Sequence, residues 1–440
     1  MSWFAIFRLG LVQACLGSMV VLTTSTLNRV MAIELMLPAL VPGLLVGLHY
    51  AVQLARPRMG FGSDAGGTRT PWIVGGMVVL ALGGFGAALG TAWAATDTTA
   101  GLALCVLSYM LVGLGVSAAG TSLLVLLATR VQPERRAGAA TLVWVMMIVG
   151  FALTAGIAGK WLDPFTPLRL VQVSGSVSLL AFTLAMVALA GVERNAQAAA
   201  AAPEHKPRFI DALRQVWTEP DARRFTVFVF VSMIAYSAQD LILEPFAGVR
   251  FGFTPGESTQ LSGVQHGGTL AGMLLASRAG RRLWGMAFGS LRAWIVGGCL
   301  CSALALLGLV VGGASGAPWP LRANVFALGV ANGAFSIAAI GSMRALAGQG
   351  RSGRSGTRMG QWGAAQAIGF AVGGTLGTAA SDLARWLIGS QVAAYGVVFA
   401  AEALMFVAAA VLALRIAVPA AAGPGPVQTR EGVHERVAHL

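Results

Sequence analysis

Five ionisable side chains stand inside otherwise apolar stretches of this chain: His49, Asp240, Glu244, His266 and Glu402. Burying such a group at lipid depth is costly, so each is a candidate for a functional role. The two histidines are 217 residues apart. A neutral imidazole can ligate a metal, the magnesium of a tetrapyrrole included, when its other nitrogen is held by an acceptor. The commoner outcome is a hydrogen bond to a neighbouring helix. Their depths differ. His49 stands seven residues before Arg56 and His266 twelve before Arg278, which at about 1.5 Å per residue amounts to roughly 7 Å. Gln265 and Gln366 could donate to a carbonyl of such a ligand, or simply bridge helices. Asp240 and Glu244 lie one turn apart and share a helix face, a spacing that suits a proton or cation relay. Pro245 follows at once. It predicts that the helix ends at Glu244, with that carboxylate pairing at the surface with Arg250 or Arg29.

The elements that must position these groups are membrane helices. Apolar residues make up 56% of the 440-residue chain and charged residues only 11%. A soluble chain of this length needs more polar surface to cover its core. Twelve spans are expected, over residues 9–27, 33–55, 72–95, 101–127, 139–159, 168–192, 223–245, 259–277, 292–314, 321–345, 359–380 and 392–414, each long enough for the hydrocarbon layer. Between the first two, Asn28-Arg29 to Glu34 reads as a short charged turn at the membrane surface. Twenty-four of the 30 basic residues fall in alternate segments, on the side of both termini. The positive-inside rule places that side in the cytoplasm. The net charge of +13 therefore reflects topology and contact with anionic membrane lipids, and no nucleic-acid partner is expected. The first apolar segment is too long for a cleavable signal. Cys15, Cys105, Cys299 and Cys301 lie in apolar segments, so neither a disulfide nor a metal site is expected. Gly43-x3-Gly47 and Gly369-x3-Gly373-x3-Gly377 read as close helix contacts. No Gly-x-Ser-x-Gly, His-Glu-x-x-His or P-loop is present, so the patterns of soluble catalysis are missing.

The chain also repeats. Arg8 opens the first span and Arg224 the seventh, 216 residues on; Asn28 and Glu244 keep the same offset. A parallel repeat of six spans follows. It gives a first bundle over 1–193, a cytoplasmic linker over 194–222 with a short amphipathic helix (Phe209 to Trp217), a second bundle over 223–415 and a disordered tail over 416–440. Gly60-x3-Asp64-x2-Gly67-x-Arg69 resembles the signature loop of the major facilitator superfamily, although Ala65 stands where transporters carry a basic residue. The expected fold class is an all-α polytopic membrane protein: a major facilitator fold with 12 transmembrane helices in two six-helix pseudo-repeats.

Several stretches resemble a narrower group: Thr26-Leu-Asn28-Arg29-Val-Met31 with Glu34-Leu35; Arg58 with Gly60 through Asp64; Gln239-Asp240-Leu-Ile-Leu-Glu244-Pro245-Phe246; Phe335-Ser336 into Gly341-Ser-Met343; and Arg358-Met-Gly360-Gln-Trp362-Gly-Ala-Ala-Gln366. They are similar to the PucC/LhaA group of light-harvesting-complex assembly proteins of phototrophic bacteria. The resemblance implies a non-enzymatic assembly factor for a bacterial antenna in the photosynthetic inner membrane. Its bound cargo would be bacteriochlorophyll or a precursor. Its partners would be nascent antenna polypeptides, with the reaction centre or pigment-synthesis enzymes beyond them. Candidate pigment contacts are His49, His266, Gln265, Gln366 and Trp362. Asn28, Arg29, Glu34, Asp240 and Glu244 would form a polar cluster on the outer side. The rival expectation is a major-facilitator transporter of a tetrapyrrole or other amphiphile, coupled to protons through Asp240 and Glu244.

Overall fold

A computed structural model describes residues 1–56, 68–193, 217–278, 282–283, 286–287, 289–316, 318–349 and 355–416. Helix α1 starts at Trp3, where the Ser2 hydroxyl accepts from the Ala5 N–H, as an N-cap should. It then runs unbroken to Glu34 through two wider, π-helical turns at Leu22–Thr26 and Val30–Glu34. The charged turn expected at Asn28 is therefore not a turn. Asn28 and Arg29 lie within the helix and are buried, because partners on other helices satisfy them there.

The remaining helices are α2 (Leu40–Val52), α3 (Thr70–Trp93), α4 (Thr98–Arg130), α5 (Pro133–Leu162), α6 (Pro167–Leu189), α7 (Pro220–Phe251), α8 (Pro255–Ala276), α9 (Leu291–Ser315), α10 (Leu321–Gln349), α11 (Ser355–Ile388) and α12 (Gln391–Leu414). Between α8 and α9 in the chain, two strands of two residues each, β1 (Arg282–Leu283) and β2 (Met286–Ala287), pair antiparallel. Among the described residues, nine of the twelve helices are long and apolar enough to cross a membrane; α2 is apolar but short. The other two, α8 and α11, carry more polar residues and glycine. Both lie where the two halves meet, so protein rather than lipid covers much of them.

Successive helices run antiparallel. The end holding Met1 is here the terminal face, and the other the opposite face. One core is built from α1 and α3–α6, and another from α7–α12. The halves meet where α1 crosses α7 and α8, where α5 packs on α8, and where α2 packs on α11. At the α2–α11 contact, a Cβ on Gly43 would collide with the Thr378 side chain, and one on Gly47 with Thr375. Glycine is what permits that approach. The pseudo-repeat shows in detail at the terminal face. Arg8 donates to the Ala190 carbonyl at the end of α6. Arg224 donates to the Arg415 carbonyl at the end of α12, at 3.4 Å. Each cation satisfies an orphan carbonyl at a helix C-terminus. The expected amphipathic linker helix, apart from Trp217, and the tail beyond Ile416 lie outside the described residues.

Candidate functional site

Pro245 sits inside α7 without ending it. Proline has no N–H, so the carbonyl one turn back, that of Leu241, loses its helical partner. The Asn28 side-chain amide of α1 donates to that carbonyl at 2.6 Å. The helix continues to Phe251, and Glu244 is buried rather than placed at a surface end. Its hydrogen-bond donor is Ser25, not an arginine. Ser25 also reaches Ser262 of α8 at 3.2 Å, and Thr26 pairs with Thr259 at 3.1 Å. Arg29 forms an ion pair with Glu34 and donates to the Phe253 carbonyl at 2.8 Å. Asp240, one turn deeper on α7, accepts from Gln265 of α8 at 3.0 Å. The five residues expected to form a polar cluster thus all lie along the seam of α1, α7 and α8.

Two further carboxylates bridge the halves at the opposite face, and sequence reasoning missed both. Asp163, at the end of α5, accepts from the Thr254 hydroxyl at 2.6 Å and the Gly256 N–H at 3.1 Å, at the start of α8. Asp382 of α11 accepts from the Ala39 and Leu40 N–H groups at 3.1 and 2.8 Å, at the start of α2. Each half thus caps a helix N-terminus of the other, where free N–H groups and the helix dipole both favour an anion. The signal was available. The two aspartates are 219 residues apart, close to the repeat offset.

The histidines differ in kind. His49 is buried, with Nε2 2.8 Å from the Gln53 amide and Nδ1 unpartnered among the described residues. His266 places Nδ1 2.8 Å from the Ser262 carbonyl of its own helix. That bond assigns the proton to Nδ1 and leaves the Nε2 lone pair available. No hydrogen bond engages Nε2 among the described residues. The ring of Phe151 from α5 meets the His266 ring in a T-shaped contact, with centroids 5.0 Å apart. Nearby on the seam, Tyr50, Phe370 and Tyr236 form a run of rings with centroids 5.4 and 5.7 Å apart. Gln366 lies one turn from Phe370 and is half-buried. Trp362 is placed elsewhere. It is fully buried in the core of the second half, edge-on to Phe225 at 4.9 Å, and its indole N–H donates to the Ala222 carbonyl.

Of the signature loop, Gly60, Asp64 and Gly67 lie outside the described residues. Arg69 is described. Its N–H and that of Thr70 donate to the Glu193 carboxylate at 3.0 and 2.7 Å, and so does the Thr70 hydroxyl at 2.6 Å. Burial opposes the charged form of Glu193. The hydrogen bonds from Thr70 and Arg69 and the charge of Arg130 outweigh it and hold the carboxyl below its ordinary range. On the flank of the α2–α11 contact runs an apolar groove of about 470 Å³, with Leu44, Gly47 and Leu48 on one wall and Val372, Thr375 and Leu376 on the other. Among the described residues, no three His, Cys, Asp or Glu side chains gather to hold a metal ion.

Residues 26–421 match the family described as PUCC protein. A Rhodobacter capsulatus protein called "Bacteriochlorophyll synthase 44.5 kDa chain" is 51% identical over 98% of each chain. A second protein of that organism, "Protein PucC", is 28% identical over 93% of this chain and 91% of its own. Among solved structures, one of proton-dependent oligopeptide transporters superposes with a TM-score of 0.68 at 13% identity, covering 94% of this chain and 98% of that one. This likeness concerns the fold alone, which is that of the major facilitator superfamily. The synthase name on a relative this similar overturns the expectation of a non-enzymatic role and points to an enzyme-associated one.

Proposed function

The chain belongs to the PUCC protein family, and from that premise we propose that it holds bacteriochlorophyll or a precursor between its two halves and passes it to antenna polypeptides. It does so in association with the enzymes that make the pigment, as the name of its 51%-identical relative suggests. The setting is the photosynthetic inner membrane. The terminal face, rich in arginine, faces the cytoplasm. The bundles over 1–193 and 223–415 act as the two walls, joined by the linker over 194–222.

The observation that carries this reading is His266. A neutral imidazole whose Nδ1 is tied to a carbonyl and whose Nε2 has no hydrogen-bond partner among the described residues is prepared to ligate magnesium. The rings of Phe151, Tyr50, Phe370 and Tyr236 supply the flat apolar surroundings that a macrocycle needs. His49 is the weaker ligand: Arg56 donates to Gln53 Oε1, so the Gln53 amide N–H donates to His49 Nε2, which uses the ring's lone pair and puts the proton on Nδ1. Gln265 is engaged by Asp240, which leaves Gln366 as the amide on this seam for a pigment carbonyl. The groove between α2 and α11 offers a side exit into lipid for an apolar tail.

The test is purification from pigmented cells in mild detergent, followed by an absorption spectrum. Wild type is expected to carry pigment, His266→Leu to lose most of it, and His49→Leu to keep it. Full retention by His266→Leu would reject the ligand, and a colourless wild type would reject the pigment reading. The polar seam supports a second reading, proton-coupled movement of an amphiphile by way of Asp240 and Glu244. Uptake into proteoliposomes that follows a pH gradient and is lost in Asp240→Asn would favour it.

A further inference from the structure

A second polar layer lies inside the second half, its Gln239 next in α7 to Asp240 of the seam. Glu402 of α12 is 2% exposed, and both carboxylate oxygens lack a hydrogen-bond partner among the described residues. Gln239 of α7 and Asn332 of α10 are each 0% exposed. Among the described residues neither Gln239 amide atom has a partner, nor does the Asn332 amide nitrogen, while Asn332 Oδ1 accepts from Ser302 of α9 at 2.8 Å. Ring contacts fix these groups at one depth. On the opposite-face side, Phe399 of α12 meets Phe246 of α7, with centroids 5.1 Å apart. On the terminal-face side, Phe335 of α10 meets Phe406 of α12 at 5.6 Å and Tyr236 of α7 at 6.3 Å. Glu402 lies between Phe399 and Phe406 on one helical face, Asn332 one turn from Phe335, and Gln239 one turn from Tyr236. Two tiers of aromatic rings therefore bracket one polar layer, to which four helices contribute.

An uncompensated carboxylate at this depth is among the most unfavourable arrangements a membrane protein can hold. Glu402 forms no ion pair with Lys, Arg or His among the described residues. The oxygens of the layer are the Glu402 carboxylate, the Gln239 and Asn332 amide carbonyls and the Ser302 hydroxyl, all hard donors. Such donors suit an alkali or alkaline-earth cation rather than a transition metal. A single carboxylate balances a single positive charge.

We propose that this layer is a binding site for one monovalent alkali cation, ligated by Glu402 with Gln239, Asn332 and Ser302 completing the shell. The site uses none of the residues proposed to hold pigment and does not depend on pigment binding. Bound there, the ion ties α7, α9, α10 and α12 together and stabilises the second half.

The test uses the full-length purified protein at fixed pH, with sodium chloride replaced stepwise by choline chloride at constant ionic strength. Sodium is expected to raise the thermal unfolding midpoint along a saturable curve, as ligand linkage requires, and radioactive sodium to bind at a single site per chain. Glu402→Gln, a neutral isostere, should abolish both effects. Gln239→Leu should weaken binding, and Glu193→Gln, which alters a carboxylate outside the layer, should leave both intact. A sodium response unchanged in Glu402→Gln would overturn the proposal. So would no sodium response in wild type, with the infrared band of a protonated carboxyl persisting in sodium; the layer would then hold a proton or water only.

Discussion

At the scale of single residues, the seam depends on one helix repairing a defect in another. Proline at position 245 removes a hydrogen bond from α7, and Asn28 supplies the donor that the Leu241 carbonyl lacks. Leaving a buried carbonyl without a donor costs about 1–3 kcal/mol. Asn28→Ala should lower stability by that order in thermal unfolding. In a Pro245→Ala background the restored N–H at 245 can bond Leu241 itself, so the same Asn28 substitution should cost less. Equal costs in the two backgrounds would show that Asn28 acts some other way. Glu193 offers a second measurement. Its pKa in the folded protein lies below the unfolded value. Its contribution is therefore complete above the ordinary carboxylate range and fades as pH falls through the folded pKa. Acidification should destabilise wild type more than Glu193→Gln, and the unfolding midpoints of the two should converge at low pH. Parallel pH profiles would remove Glu193 from the account.

At the scale of elements, Asp163 and Asp382 work as reciprocal caps. Each belongs to one half and satisfies the first turn of a helix in the other. A cap of this kind contributes about 0.5–2 kcal/mol. Here it also links the halves at the opposite face, where Ala32 and Leu37 lie beside Asp382 in a small pocket. An Ala32→Cys probe, buried in this state, should react slowly with a membrane-impermeant maleimide applied to that face. Asp163→Ala together with Asp382→Ala should speed the reaction more than either change alone, because either cap can hold the face partly closed. If the double variant labels no faster than wild type, the aspartates are not what keeps that face shut.

At the scale of the whole molecule, the fold was legible because its signals are one-dimensional: apolar runs, arginines in alternate loops and a 216-residue offset. Hydropathy by itself would have missed α8 and α11, which are polar where the halves cover them. The burial of Asn28 and Glu244 was not legible. Their partners lie 213 and 219 residues away in the chain, and proline and arginine carry local expectations that tertiary contacts overrode. The glycine pattern was legible as packing but not as a contact between the halves, which the structure assigns to Gly43 and Gly47 against α11. That assignment can be tested. A methyl group at position 43 would press on Thr378, and overpacking of this kind costs about 1–3 kcal/mol. Gly43→Ala should lower the unfolding midpoint accordingly. Thr378→Ala, which removes the outer atoms of the clash, should be mild alone and should recover at least part of the loss when combined with Gly43→Ala. Gly75, on α3, has open space where its Cβ would be, so Gly75→Ala should be neutral or slightly stabilising, since alanine is the better helix former. Rescue specific to the 43–378 pair would show that the two halves approach through this glycine. Equal losses at positions 43 and 75 would mean that helix backbone preference, not the fit between the halves, sets the result.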